Sequence, residues 1–193
     1  MFRHPTAGWI EVICGPMFSG KSEELIRRAT RAKIARIGVQ IFKPRIDSRY
    51  GHDVVVSHSA LKVDAVPVAD SSELAASLVD GTQVVGIDEA QFFDAGLVEV
   101  CERLAHDGLR VIVAGLDLDY LRRPFEPIPT LCGRAEYVTK MLAVCHRCGG
   151  PALYTQRLVS SDELVVLGSR GTYEARCRMC YRPGEPEQPP LDI

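Results

Sequence analysis

No stretch of this 193-residue chain approaches the roughly 18 uninterrupted apolar residues that a membrane helix requires, and the opening MFRHPTAGW lacks a signal peptide's apolar core. No membrane partner is expected, and a cytoplasmic location is. An excess of positive charge is missing too. Lys and Arg number 23 against 25 Asp and Glu, for a net charge of -2, so nothing invites a polyanion and no nucleic-acid partner is expected. Arg27, Arg28, Arg31, Lys33 and Arg36 make one segment basic, but no aromatic residue interleaves them, and they read as a solvated helix face. Internal repeats are absent. In a reducing compartment the seven cysteines have no disulfide framework to build, so their spacing is read first for metal.

What is present is a core-forming composition, 46% hydrophobic, enough for one ordinary domain and a small appendage. Strand-like runs recur at about 9–14, 39–43, 62–68, 84–88 and 110–115, with helical patterns near 22–37, 71–80 and 94–107. That alternation predicts an α/β fold with a mostly parallel sheet flanked by helices. Val84 to Asp88 and Val111 to Leu116 are near-continuous apolar runs of the kind found in strands buried on both faces. Leu121 to Gly133 carries Pro124, Pro127 and Pro129 and reads as a structured loop. Beyond about residue 140, short strands and paired cysteines replace the rhythm. The predicted division is 1–140 for the α/β domain, 141–182 for a small metal-binding domain, and 183–193 for a Pro-rich flexible tail.

Gly15, Pro16, Met17, Phe18, Ser19, Gly20, Lys21 and Ser22 spell G-x-x-x-x-G-K-S between a predicted strand and a predicted helix. The glycines let backbone N–H groups close around phosphates, Lys21 reaches the β/γ-phosphates, and Ser22 is placed to hold Mg²⁺. The helix N-terminus adds its own N–H groups and positive dipole end. Asp88 and Glu89 directly follow a predicted buried strand, like the aspartate of a P-loop NTPase that supports Mg²⁺. Adjacent residues on extended chain point to opposite sides, so one carboxylate can serve the metal while Glu89 accepts the acceptor's proton.

Cys145 and Cys148, then Cys177 and Cys180, form two C-x-x-C knuckles separated by 28 residues, 149–176. Four thiolates are the tetrahedral set of a structural Zn²⁺ site, and the long gap implies a segment looped out between the knuckles. His146 reads as an exposed knuckle tip, Cys14 and Cys101 as packing residues, and Cys132 has no assigned role. Arg49 is either a phosphate contact or a surface-loop residue. Tyr120 and Phe125 either sandwich a base or simply pack.

Taken in order, GPMFSGKS with ELIRR, KPRIDSRY, GIDEAQFF, GLDLDYLRRPF, CHRCGGPALYTQR and CRMCY resemble the thymidine kinases that pair a P-loop α/β domain with a zinc-bearing lasso domain. The resemblance spans roughly residues 9 to 182. It implies ATP, Mg²⁺ and structural Zn²⁺ as cofactors and transfer of the γ-phosphate to the 5′-hydroxyl of thymidine, deoxyuridine also serving. It implies Glu89 as general base, Lys21, Ser22 and Asp88 in the phosphate and metal site, and added weight for Arg49. A lasso near Arg157 to Tyr173 would lay Leu164, Val165, Val166, Leu167 and Gly168 along the nucleoside, with Tyr173 at the sugar or base. Met17, Gln91, Tyr120, Phe125 and Thr155 would line the pocket, Gln91 ordering it rather than reading the base. A homotetramer and feedback binding of thymidine triphosphate (dTTP) are implied as well. Two positions depart from the family's habit: Tyr120 where Phe is common, and Ala60 where Gly is common. Two other classes are compatible with the motifs alone. One is a P-loop ATPase whose zinc ribbon binds nucleic acid; the other is a zinc-containing module that binds ATP without turnover.

Overall fold

A computed structural model describes residues 7–46, 54–56, 62–159 and 171–182. Arg49, Ala60, Leu164, Val165, Val166, Leu167, Gly168 and the segment 183–193 lie outside the described residues. The elements are β1 (Trp9–Cys14), α1 (Lys21–Ile34), β2 (Val39–Pro44), β3 (Val54–Val56), β4 (Lys62–Asp64), β5 (Val66–Val68), α2 (Ser71–Ala76), β6 (Val84–Ile87), α3 (Leu97–His106), β7 (Arg110–Gly115), α4 (Ile128–Arg134), β8 (Tyr137–Lys140), β9 (Ala143–Val144), β10 (Pro151–Ala152), β11 (Tyr154–Arg157) and β12 (Tyr173–Arg176). A single 3-10 turn, Ala90–Phe92, follows β6.

The described strands build one six-stranded sheet in the order β5-β2-β6-β7-β1-β8, parallel throughout. Its central strands are buried on both faces, as their uninterrupted apolar sequences require. Side-chain alternation divides the core. Val12, Val85, Ile87, Val111 and Val113 meet Leu97, Leu104, Ile128 and Leu131 of α3 and α4 on one face. On the other face Ile13, Ile112 and Ala114 meet Leu25 and Ala32 of α1. Truncating a fully buried residue such as Leu25 to Ala would cost about 2–5 kcal/mol.

Three local differences from the sequence reading have physical causes. The run at 62–68 is two strands, β4 pairing antiparallel with β3 and β5 joining the main sheet beside β2. The Pro-rich segment does end in a helix, α4, because its prolines fall at Pro127 before the helix and Pro129 in the first turn, where no intrahelical N–H is needed. Arg28 is not solvated: only 13% of its side chain is exposed, and it bonds Glu11 of β1 at 2.6 Å and Thr139 of β8 at 3.0 Å. Glu11 is buried, and Arg110 and the Trp9 indole N–H share its oxygens, so a satisfied ion network pins α1 to the sheet.

Beyond the sheet, β9 pairs with β10 and β11 with β12, both antiparallel. Ala143, Cys145, Ala152 and Ala175 form a separate small core there.

Candidate active site

β1 delivers the chain to the carboxyl edge of the sheet at Cys14, and the loop 15–20 turns it into α1. Gly15 has φ 145°, and a Cβ there would sit 2.3 Å from the Met141 carbonyl oxygen, so the approach admits only glycine. Gly20, at φ 83°, is the N-cap of α1 and has no side chain of its own to offer the helix start, the place where a P-loop presents N–H groups to an anion. Lys21 Nζ donates to the Pro16 carbonyl at 2.7 Å, and Ser19 Oγ donates to the same oxygen at 2.8 Å, so the lysine is folded over the loop. Phe18 takes a left-handed backbone, φ 65°, and packs outward against the small core around Cys145 and Ala175. Met17 N–H donates to Thr155 Oγ1 at 3.0 Å. The phosphate loop therefore touches the cysteine-bearing region through both residues.

β6 ends at Ile87, and its ladder to β2 is extended by Asp88 N–H donating to the Phe42 carbonyl at 2.9 Å. Asp88 is 5% exposed, and Ser22 Oγ donates to its Oδ1 at 3.1 Å. Burial first, and the Glu89 charge second, push Asp88 up to about 7, against the pull of the Ser22 hydroxyl. The two carboxylates are separated by a route the sequence reading did not foresee. Glu89 is not extended but left-handed, φ 50° and ψ 40°, at the head of the 3-10 turn. Such a conformation in a residue with a Cβ costs energy and concentrates at functional positions. Gln91 is buried and holds the turn, donating to Glu89 Oε2 at 2.5 Å and accepting the Leu116 N–H from the end of β7 at 2.9 Å.

The remaining candidate residues come from distant segments. Asp119 Oδ1 accepts the N–H groups of Leu121 and Arg123, both at 2.8 Å, and shapes the turn that carries Tyr120. Phe125 meets Phe92 edge-on, centroids 6.2 Å apart at 87°. Thr155 and Tyr173 are buried on β11 and β12. The structure brings Met17 to Thr155 and, through Arg157, Tyr120 to Tyr173; Phe125 instead packs on Phe92. Residue-type reasoning passed over Phe92, Tyr181, Arg122 and Arg157. Tyr181 Oη donates to the Tyr120 carbonyl at 2.5 Å, and the Arg122 guanidinium lies 5.0 Å from the Tyr181 ring centroid. It also passed over Lys43, 1% exposed at the carboxyl end of β2, one position beyond the Phe42–Ile87 pair. In the sequence these residues carry no spacing signal.

The metal-ligand spacing of the four cysteines is realised in space. The Sγ atoms of Cys145, Cys148, Cys177 and Cys180 all lie within 4.8 Å of one another. Gly149, at φ 72°, closes the first knuckle as its N–H donates to the Cys145 carbonyl at 2.9 Å; Tyr181 N–H closes the second onto Cys177 at 3.0 Å. Burial raises Cys145, but the N–H groups of Cys177, Cys148 and Arg147 outweigh it and bring that thiol down to about 6. A converging S₄ set fits Zn²⁺ chemically. His146 is exposed, outside the sulfur cluster, with Nε2 3.4 Å from Glu174. Cys132 does have a neighbour: its Sγ lies 4.0 Å from Cys14 Sγ beneath the phosphate loop.

A parallel sheet with a glycine-rich loop entering a helix, a serine–aspartate pair beside that loop and a strained carboxylate next to it define a P-loop nucleotide-binding phosphotransferase. A thymidine kinase family model matches residues 8–181. A thymidine kinase from Rhodothermus sp. is 57% identical over 187 residues, 96% of this chain and 87% of that protein. One from Bdellovibrio bacteriovorus is 52% identical over 187 residues, 97% of this chain and 91% of that protein. The chain belongs to the thymidine kinase family. Among solved structures it is similar to a genome packaging NTPase, B204, from Sulfolobus turreted icosahedral virus 2 in complex with ATP-gammaS. That match has a TM-score of 0.44 at 22% identity, covering 69% of this chain and 74% of that one, too slight a likeness to bear on function.

Proposed function

We propose that the chain transfers the γ-phosphate of ATP to the 5′-hydroxyl of thymidine, and of deoxyuridine, in pyrimidine deoxynucleotide salvage. One observation carries the chemistry. The Ser22–Asp88 bond at 3.1 Å sits beside a Glu89 carboxylate turned by a left-handed backbone and held by Gln91 at 2.5 Å. In this reading Gly15, Pro16, Met17, Phe18, Ser19 and Gly20 present the loop to the triphosphate, and Lys21 swings from the Pro16 carbonyl onto the β/γ-phosphates. Ser22 and Asp88 would hold Mg²⁺, which when bound neutralises phosphate charge. Glu89 takes the proton of the 5′-hydroxyl as its oxygen bonds to the γ-phosphorus and the bridge to ADP breaks. Gln91 keeps Glu89 in register.

Met17, Tyr120, Phe125, Thr155 and Tyr173 line the nucleoside pocket. Leu164, Val165, Val166, Leu167 and Gly168 belong to the same proposal by resemblance, as does Arg49 at the phosphates. Cys145, Cys148, Cys177 and Cys180 would hold Zn²⁺, whose role is to fix the knuckles. The division at 140/141, a Pro-rich tail at 183–193, a homotetramer, dTTP feedback and a cytoplasmic location complete the proposal. Among the described residues no helix is long and apolar enough to cross a membrane. Incubating the purified protein with ATP, Mg²⁺ and thymidine should yield the nucleoside 5′-monophosphate by mass spectrometry. Failure of both thymidine and deoxyuridine with folded, zinc-loaded protein would overturn the assignment.

A further inference from the structure

Arg157 closes β11 and is 5% exposed, which is unusual for a cation. Its guanidinium carbon lies 3.5 Å from the centroid of the Tyr120 ring, the distance of a flat stack. The same carbon is 5.6 Å from the Tyr173 ring, and Nη2 donates to Tyr173 Oη at 3.2 Å. The β11–β12 register places Arg157 opposite Tyr173, so that contact is set by the ladder. Tyr120 arrives from the far side, on the loop after β7, and its carbonyl is fastened by Tyr181. One planar, weakly hydrated cation thus joins two aromatic residues supplied by different regions of the chain. An arginine can present a flat face to one ring and a directed N–H to the hydroxyl of the other, which the compact ammonium of lysine cannot.

We infer that Arg157 is a positioning residue that fixes Tyr120 and Tyr173 in place in the lining of the nucleoside pocket, and so sets affinity for the pyrimidine nucleoside without taking part in phosphoryl transfer. This rests on the assignment of both tyrosines to the nucleoside proposed above. The arrangement also gives the ring of Tyr120 a role that does not depend on its hydroxyl, since the guanidinium lies over the ring face. A purely structural arginine would, on replacement, lower stability and weaken both substrates together. A positioning arginine acts on one substrate only.

The test uses full-length, zinc-loaded protein and the variants Arg157→Lys, Arg157→Met, Tyr120→Leu and the double variant Arg157→Met/Tyr120→Leu, with zinc content and thermal unfolding measured for each. Arg157→Met should raise KM for thymidine about 10–100-fold, leave KM for ATP within about twofold, and leave kcat within about threefold. Arg157→Lys should recover only part of the loss, and the double variant should be little worse than the weaker single one. Equal rises in both KM values, full rescue by lysine, or additive losses in the double variant would each overturn the inference. If Arg157→Met does not fold, Arg157→Lys alone decides: an unchanged KM for thymidine contradicts the role. A wild-type protein that does not phosphorylate thymidine sinks the functional reading instead, whatever the variants do.

Discussion

The proposed donor and acceptor halves of the site are built by opposite means. The phosphate half is made of contiguous backbone: Gly15 to Ser22, with two glycines at positive φ and the start of α1. The proposed nucleoside half is made of side chains drawn from Met17, Tyr120, Phe125, Thr155 and Tyr173, with Arg157 and Tyr181 bonded to the tyrosines and the cysteine cluster on the same region of the chain. Backbone sites tolerate the loss of distant support, because each amide is fixed by its own strand and helix. Side-chain sites depend on every element that brings a residue in.

Removing the metal should expose this difference most. Stripping Zn²⁺ with a strong chelator, or changing Cys177→Ser, should abolish detectable thymidine binding by calorimetry, while an ATP analogue still binds within about tenfold of the loaded protein. Equal loss of both ligands would break the contrast. Glu89→Gln sits where the halves meet. It should lower kcat on the order of 10²–10⁴-fold in steady-state assays with nucleotide binding retained, and unchanged turnover would remove Glu89 as the base.

Thr155→Val deletes the acceptor for Met17 N–H, the bond that ties the two halves together. An orphaned, part-buried donor costs about 1–3 kcal/mol, so KM for thymidine should rise by about tenfold while KM for ATP moves less. An equal rise for ATP would break the contrast. The smallest effect belongs to the donor side's scaffold. Arg27 first, then Arg28, hold Glu24 down at about 2, while an unfolded glutamate titrates near 4.5. A carboxylate lowered in the folded state contributes stability that is fully present above the unfolded value and is lost as pH falls from about 4.5 towards 2. Glu24→Gln should remove about 0.3–1 kcal/mol at neutral pH and flatten that acid limb in denaturant titrations, leaving both KM values unchanged.

The same contrast explains what could be read before any coordinates. GPMFSGKS and Asp88–Glu89 are contiguous, and contiguous chemistry shows in spacing; so do the two cysteine knuckles. The sheet was visible wherever its strands are buried on both faces, as in β6 and β7. Strand β8 was not, because YVTK on the sheet edge is largely exposed and carries no apolar run. Helix α4 was hidden by a rule applied too broadly, since proline breaks a helix interior but not its first turn. The left-handed Glu89 has no sequence signal at all, being imposed by the turn between β6 and the Gln91 contacts. Arg28 looked solvated because its partner Glu11 lies on another element, seventeen residues away. Of the nucleoside side, residue types alone offered Tyr120 and Phe125 as ambiguous aromatics; only the family resemblance drew Thr155 and Tyr173 to the pocket, and Arg157 entered merely as a loop boundary.

The most direct measurement of a two-substrate site is the rate of ADP formation by the wild-type protein as nucleosides are varied at saturating ATP. The account predicts a rate that rises and saturates with thymidine, responds to deoxyuridine, and ignores purine nucleosides. ADP formation indifferent to every nucleoside would contradict it.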